Sequence, residues 1–321
     1  MKKFKTKIFH EKVIIKLLTR ELAIDLMSDF VLKGSGVLKQ GFKYRMLQAT
    51  KLIPHSTKLV AYHTEEKRAI GFLCLEKNTN WLYSMKYIFV DPKYRKRGLA
   101  TRLINFAMIL AKEKRAKKVN LNVFPTETNA INLYRKMGFK KIGYTLMGQG
   151  VLAEFEPCRA IKHATADIGY LTKLNPIKKS QLFRPQTNSR KNLDTLFNIC
   201  QRCVDQNWID FFEINSNNLI YGSHQIWQPH FFRDILINDV TNCFAIIFSR
   251  PLYKNATAEL YSTSKEVIPS ILENLLKIMV NRGISFTQIM VFNPRDDVPL
   301  KWFKKIGMIT FEFVCMGKTF E

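Results

Sequence analysis

Tyr87-Ile88-Phe89-Val90-Asp91-Pro92-Lys93-Tyr94-Arg95-Lys96-Arg97-Gly98-Leu99-Ala100-Thr101 spells a strand, a tight basic loop and the start of a helix. Ile88, Phe89 and Val90 form a short apolar run of strand type, and Asp91-Pro92 stops it. Arg95 to Ala100 then reads R-x-x-G-x-A, with an apolar-periodic helix behind it. A loop of this kind holds anions. Its N–H groups gather at a helix N-terminus, where the dipole also favours negative charge. Gly98 lets the backbone approach a ligand closely, and Arg95, Lys96 and Arg97 add charge. No Gly-Lys-Ser/Thr closes the loop, so it is not a Walker loop. The absence of G-x-G-x-x-G excludes a Rossmann fingerprint. Taken alone, the stretch also fits a basic turn on a solvated surface.

A second motif, Asn129-Ala130-Ile131-Asn132-Leu133-Tyr134-Arg135-Lys136-Met137-Gly138-Phe139, follows another strand. In this order and spacing the two motifs resemble the GNAT superfamily of N-acetyltransferases. The first is similar to that family's acetyl-CoA pyrophosphate loop, Q/R-x-x-G-x-G/A. The second is similar to its closing A-I-x-L-Y-x-K-x-G-F segment. The resemblance covers residues 60 to 145, and the amino-terminal part is compatible with it.

The totals favour two soluble domains in 321 residues. A net charge of +25 favours an anionic partner such as nucleic acid, ribosome, acidic protein or anionic lipid. The charge is spread along the chain, so a lysine-rich composition explains it equally well. Six cysteines do not make a disulfide scaffold, and a reducing, cytoplasmic setting fits. Cys200-Gln201-Arg202-Cys203 is the one close pair. A zinc site would need His224 and His230 as well, and two core cysteines one helical turn apart is the better reading. No metal site is expected. Lys16 interrupts the apolar run Val13-Ile14-Ile15, so the start is neither a signal core nor a membrane span.

In chain order, residues 11 to 17 read as a strand. Thr19 caps a helix through Leu22, Ile24, Leu26 and Met27, ended by Gly34-Ser35-Gly36. Lys58–Tyr62 and Ala69–Leu75 read as a hairpin, and Leu82–Val90 as the next strand of an antiparallel meander. Gly98–Lys114 is helical, with Leu99, Leu103, Phe106, Leu110 and Ala107 on one face. Val119–Phe124 is a strand parallel to the one ending at Val90. Ala130–Met137 is a helix with Gly138 as its left-handed cap, and Lys140–Met147 begins a closing strand. The fold class is α/β of the α+β type: two GNAT-like domains, each a mixed, mostly antiparallel sheet flanked by helices. The phosphate-binding loop and the Tyr134 helix both follow carboxyl ends of parallel strands, where ligands bind.

The resemblance implies direct attack of a primary amine on the thioester of acetyl-CoA. It implies that backbone groups of Ile88, Phe89 and Val90 bind the pantetheine arm and polarise the carbonyl. Arg95, Lys96, Arg97, Gly98, Leu99, Ala100 and Thr101 hold the pyrophosphate. Tyr134 protonates the departing thiolate, a transfer between groups of similar pKa. Two departures stand out. The family's Asn three residues before Ala130 is replaced by Glu127, which leaves Asn129 as the nearby candidate for that cofactor contact. A catalytic Glu of some members is replaced by Asn122. The base stays unassigned, with a base acting through water, Glu127 and Glu76 all open.

The second half repeats the pattern with a period of about 170 residues. Ser270–Arg282 reads as a helix with Ile271, Leu275, Ile278 and Met279 on one face and Gly283 after it. Gln288–Phe292 reads as a strand. Lys301-Trp302-Phe303-Lys304-Lys305-Ile306-Gly307-Met308 mirrors Leu133 to Phe139, and Ile309–Met316 closes. Tyr261-Ser262-Thr263-Ser264-Lys265-Glu266-Val267-Ile268-Pro269 stands at the loop position without a glycine, and Phe303 stands where Tyr134 does. The expected domains are 1–157, an acetyltransferase with an acetyl-CoA site, and 166–321, a degenerate copy. The linker falls near Pro157 to Ala166, before the basic Lys178-Lys179. Trp208, Phe211, Phe212, Trp227, Phe231 and Phe232 read as core aromatics.

The leading reading is therefore an acetyl-CoA-dependent N-acetyltransferase acting on a primary amine of a peptide, protein or small molecule. The competing one is a non-catalytic tandem GNAT-like module that binds nucleic acid, ribosome or acidic protein.

Overall fold

The computed structural model describes residues 12–18, 56–152, 184–185, 190–215, 232–238, 243–250, 254–262, 268–292 and 298–321. The expected Thr19 helix, the linker with both domain boundaries, Lys178-Lys179, His224, His230, Trp227, Phe231 and residues 263–267 lie outside them. The described residues fall into two compact units. The first draws on 1–122, 128–140 and 316–321, and the second on 123–127 and 141–315.

In the first unit, β1 (Val13–Leu17), β2 (Thr57–His63), β3 (Arg68–Lys77), β4 (Leu82–Val90) and β5 (Lys118–Val123) form a sheet in that order. Neighbours are antiparallel except β4 and β5, which are parallel. Helix α1 (Leu99–Glu113) makes the crossover between them, and α2 (Thr128–Lys136) follows β5. Leu59, Ala61, Gly71, Leu73, Leu75, Met85 and Leu121 share the face on which α1 packs. Helix α1 sits close: a Cβ on Gly71 would lie 3.0 Å from Leu103 Cδ1 and 3.1 Å from Ala61 Cβ. That closeness corrects the expected helix face. Leu99, Leu103, Ile104, Ala107 and Ala111 are buried, whereas Phe106 and Leu110 are only half-buried on the flanks. Small residues line the tight contact because large ones do not fit under it.

The opposite sheet face is polar in its middle. Cys74, Glu76, Ser84, Lys86 and Asn120 fall on it by register. Asn78 Nδ2 donates to Ser84 Oγ (2.6 Å), which donates to Asn120 Oδ1 (2.6 Å). This buried chain ties β3, β4 and β5 together at one end.

In the second unit, β6 (Lys140–Val151, from Lys141), β7 (Arg184–Pro185), β8 (Phe232–Asn238), β9 (Cys243–Arg250), β10 (Asn255–Ser262) and β11 (Phe286–Phe292) form a sheet in the order β6-β11-β10-β9-β8-β7. Only β10 and β11 are parallel. Helices α3 (Arg190–Cys203), α4 (Gln206–Phe212), α5 (Ile268–Asn281) and α6 (Val298–Lys305) accompany it, and β12 (Ile309–Thr319) follows α6. Ile271, Leu272, Leu275, Leu276 and Met279 of α5 pack with Ala245, Ile247, Ala258, Leu260 and Ile289, and Ile278 lies half-buried beside them. Trp208 and Phe212 are buried and Phe211 is half-buried. Cys200 and Cys203 lie one turn apart on α3, with Cys200 fully buried.

Candidate active site

The site forms where two parallel strands part. β4 and β5 pair from Leu82 opposite Lys118 to Met85 opposite Leu121, and no further. On the other edge of β4, Lys86 lies opposite Cys74 but Phe89 lies opposite Phe72. Two residues, Tyr87 and Ile88, therefore face one residue, Leu73. This is a β-bulge, and Tyr87 carries it at φ 53°. Lys86–Val90 thus run on past the last register pair with β5, Met85 opposite Leu121. The Ser84–Asn120 hydrogen bond locks the strands just before they separate. Ile88, Phe89 and Val90, expected from the sequence to offer backbone groups, lie on this stretch beyond the β4–β5 pairs.

The loop after β4 is held from behind. Asp91 N donates to Ile70 O (2.9 Å), and Asp91 Oδ1 accepts from Lys93 N (3.0 Å). Arg68 Nη1 donates to Asp91 Oδ2 (3.1 Å), Arg68 Nη2 to Tyr94 Oη (2.7 Å), and Arg68 Nε to Glu66 Oε2 (2.8 Å). The Tyr94 hydroxyl donates to the Glu66 carboxylate. Tyr94 and Arg68 hold that carboxyl below its usual range, and burial raises the Tyr94 phenol. Sequence reasoning missed this cluster, whose members are divided between the β2–β3 turn and the loop.

With its base pinned, the loop presents Arg95, Lys96, Arg97 and Gly98 to solvent. Arg95 Nε donates to Val90 O (3.0 Å) and so closes the turn. Lys96 (φ 60°) and Gly98 (φ 78°) are both left-handed, a backbone path that makes N–H concavities. Gly98 precedes α1 and supplies no side-chain cap. The first N–H groups of α1, from Leu99, Ala100 and Thr101, are therefore left for an anion. The nest and the uncapped helix end together favour an anionic group.

Tyr134 lies on α2, 7 % exposed, its ring 6.1 Å from that of Phe139. Its carbonyl accepts from Met137 N and Phe139 N (both 3.0 Å), and Gly138 makes the left-handed cap at φ 85°. Because β4 and β5 are parallel, α2 and the loop follow strand ends on the same side of the sheet. Asn129 at the start of α2 is exposed, as are Glu127 and Asn122. Glu76 is buried, ion-paired with Lys86 on the polar sheet face. Burial lowers the Lys58 ammonium and pushes the Cys74 thiol up to about 11 on that face.

Part of the chain is similar to known proteins. Residues 25–139 match the Acetyltransferase (GNAT) family. An uncharacterized N-acetyltransferase of Methanocaldococcus jannaschii is 33% identical over 82 residues, 23% of this chain and 35% of that one. The peptidyl-lysine N-acetyltransferase YjaB of Salmonella typhimurium is 31% identical over 80 residues, 25% of this chain and 48% of that one. The match thus spans less than half the length of either relative. A GCN5-related N-acetyltransferase from Sphaerobacter thermophilus shares the fold over 96% of both chains, with a TM-score of 0.53 and 10% identity. The match to the GNAT acetyltransferase family covers residues 25–139 of the 321. Among the described residues no helix is long and apolar enough to cross a membrane.

Proposed function

We propose that the protein is an acetyl-CoA-dependent N-acetyltransferase with its chemistry in the amino-terminal domain. The observation that carries this is the parting of β4 from β5 at the Tyr87 bulge, directly before an uncapped helix N-terminus. Acetyl-CoA supplies an activated acetyl group as its thioester. Main-chain groups of Ile88, Phe89 and Val90 orient the pantetheine arm and stabilise negative charge on the carbonyl oxygen. The N–H groups from Arg95 to Thr101, with Arg95, Lys96 and Arg97, hold the pyrophosphate, and Asn129 supplies a side-chain amide. The Tyr134 hydroxyl gives its proton to the departing sulfur. Of the two carboxylates left open by the sequence, Glu76 is our candidate to accept the amine's proton through solvent, because Glu127 is exposed on a turn. The acceptor is a primary amine, and a peptide or protein amine is favoured. The YjaB relative is named for peptidyl-lysine, and a basic surface repels polycationic small molecules.

We further propose that residues 166–321 are a degenerate GNAT-like copy, with 1–157 the working domain. Their β10–β11 ladder runs unbroken from Asn255 opposite Phe286 to Leu260 opposite Val291. β9 and β10 pair without a register shift. Phe303, the counterpart of Tyr134, is fully buried, and a Cβ on Gly148 would lie 2.8 Å from its ring. These features support a second sheet without a gap for a pantetheine arm and without the phenol.

Calorimetric titration with acetyl-CoA tests both proposals. One equivalent on wild type and Tyr134→Phe, with none on folded Gly98→Glu, is expected. Two equivalents would overturn the degenerate copy. No binding by folded wild type would favour the tandem binding module.

A further inference from the structure

The end of the first unit remote from the Arg95–Thr101 loop carries a basic and aromatic surface that the proposed chemistry does not use. Helix α1 separates the two places by its length, about 22 Å at 1.5 Å per residue. Lys112, Lys114, Arg115 and Lys117 are exposed there and Lys118 is half-buried, while Lys77 is exposed on the adjoining β3–β4 turn. Two half-buried rings lie among them. Lys118 Nζ stands 5.3 Å from the Trp81 ring centroid, and Lys112 Nζ 5.1 Å from that of Phe320.

Main-chain bonds hold the arrangement in place. Lys117 N and Lys118 N both donate to Trp81 O (2.7 and 3.0 Å), Phe320 N donates to Lys117 O (2.8 Å), and Arg115 N donates to Lys112 O (2.8 Å). Glu113 and Glu321 are the acidic residues that adjoin it. A helix C-terminus favours a cation or two in its last turn. Five between residues 112 and 118 exceed that need and repel one another, a cost that a polyanion removes.

We propose that this surface binds single-stranded nucleic acid. Cations spaced around flat rings suit a chain that alternates phosphates with bases, since the ammonium groups meet phosphate and the rings stack on bases. An anionic membrane is the poorer match. Ile109, exposed one turn back on α1, is a single aliphatic chain at the border. The surface is separate from the acetyl-CoA site, so the two ligands bind together.

The test is fluorescence anisotropy with a labelled oligouridylate 20-mer across a salt series. Five neutralised phosphates predict a log–log salt slope of about −3.5, or roughly 100-fold weaker binding at 200 mM than at 50 mM salt. The triple variant Lys114→Gln, Arg115→Asn, Lys117→Gln should flatten the slope by about 2. Asn is chosen because Arg115 is left-handed at φ 62°. Trp81→Leu should weaken binding about 5- to 100-fold with the slope unchanged. Melting temperatures check that each variant is folded, and saturating acetyl-CoA should leave the affinity as it was. Equal losses in a control triple, Lys301, Lys304 and Lys305→Gln, would mean diffuse charge and overturn the site. So would an unaffected Trp81→Leu, or binding to phosphatidylglycerol vesicles without binding to the oligonucleotide.

Discussion

Gly98 is the most economical place to test whether backbone geometry makes the anion site. It stands at φ 78°, ψ 4° immediately before α1. A Cβ in this left-handed region costs about 1–2 kcal/mol. Gly98→Ala adds one methyl and no charge, so the cost has two places to appear. If the loop keeps its path, the strain falls on the folded protein, and the melting temperature drops by about 2–8 °C at 2–4 °C per kcal/mol. If the loop relaxes to a negative φ, the N–H groups of Leu99 and Ala100 leave their positions, and acetyl-CoA binds about 5- to 30-fold more weakly. The two losses should sum to about 1–2 kcal/mol whichever way they divide. Calorimetric melting without ligand and titration with acetyl-CoA read them separately. Gly98→Asn should fall between wild type and alanine, because Asn tolerates the left-handed region better. An alanine variant equal to wild type in both measurements would refute the reasoning. An Asn variant worse than alanine would point to side-chain size instead of φ.

Three further outcomes follow from the same geometry. Tyr134→Phe should keep acetyl-CoA affinity within about threefold and lower kcat by about 10²–10⁴-fold with any amine acceptor found, measured by thiol release. Burial raises the Cys74 thiol from 9.0 to about 11, so the fold favours the neutral form. That stability is whole below pH 9 and is lost as pH climbs through 11, about 2–3 kcal/mol in all; Cys74→Ala should show a flatter decline in melts taken between pH 8 and 11.5. Phe303→Tyr should leave acetyl-CoA stoichiometry at one and destabilise the protein by about 1–3 kcal/mol, read by denaturant midpoint, because the new hydroxyl is added to a fully buried ring.

Signals confined to a few neighbouring residues were legible in the sequence. Gly138, Gly283 and Gly307 end helices at φ 85°, 72° and 88°, where glycine punctuation placed them. Strand β4 has the bounds read from its apolar run, and R-x-x-G-x-A lies at the start of α1. What escaped depends on pairing at a distance. The loop's anchor joins Glu66 and Arg68 to Asp91 and Tyr94, residues that no spacing rule connects. Strand β6 pairs antiparallel with β11, from Phe286 opposite Val151 to Phe292 opposite Thr145, and a closing strand carries no local mark of its partner.

The bulge shows why such a feature is both hidden and decisive. Tyr87 takes φ 53° without being glycine, so composition gives no warning of it. A strained, non-glycine position persists only where its surroundings over-determine it. Here Lys86 is held opposite Cys74, Phe89 opposite Phe72, and Ser84 hydrogen-bonded to Asn120. The extra residue between those anchors falls where β4 parts from β5, whose last register pair is Met85 opposite Leu121. β10 has the same neighbours in the chain, a strand before it and a crossover helix after it, yet its ladders to β9 and β11 run without a shift. On our reading, a one-residue difference in strand register, together with Tyr134 against Phe303, separates a half that can bind a thioester from a half that cannot. Deleting Tyr87 should therefore restore ordinary register along β4, keep the sheet, and abolish acetyl-CoA binding. A deletion variant that melts as wild type and still binds one equivalent would show that the gap, and the argument built on it, are not what makes the site.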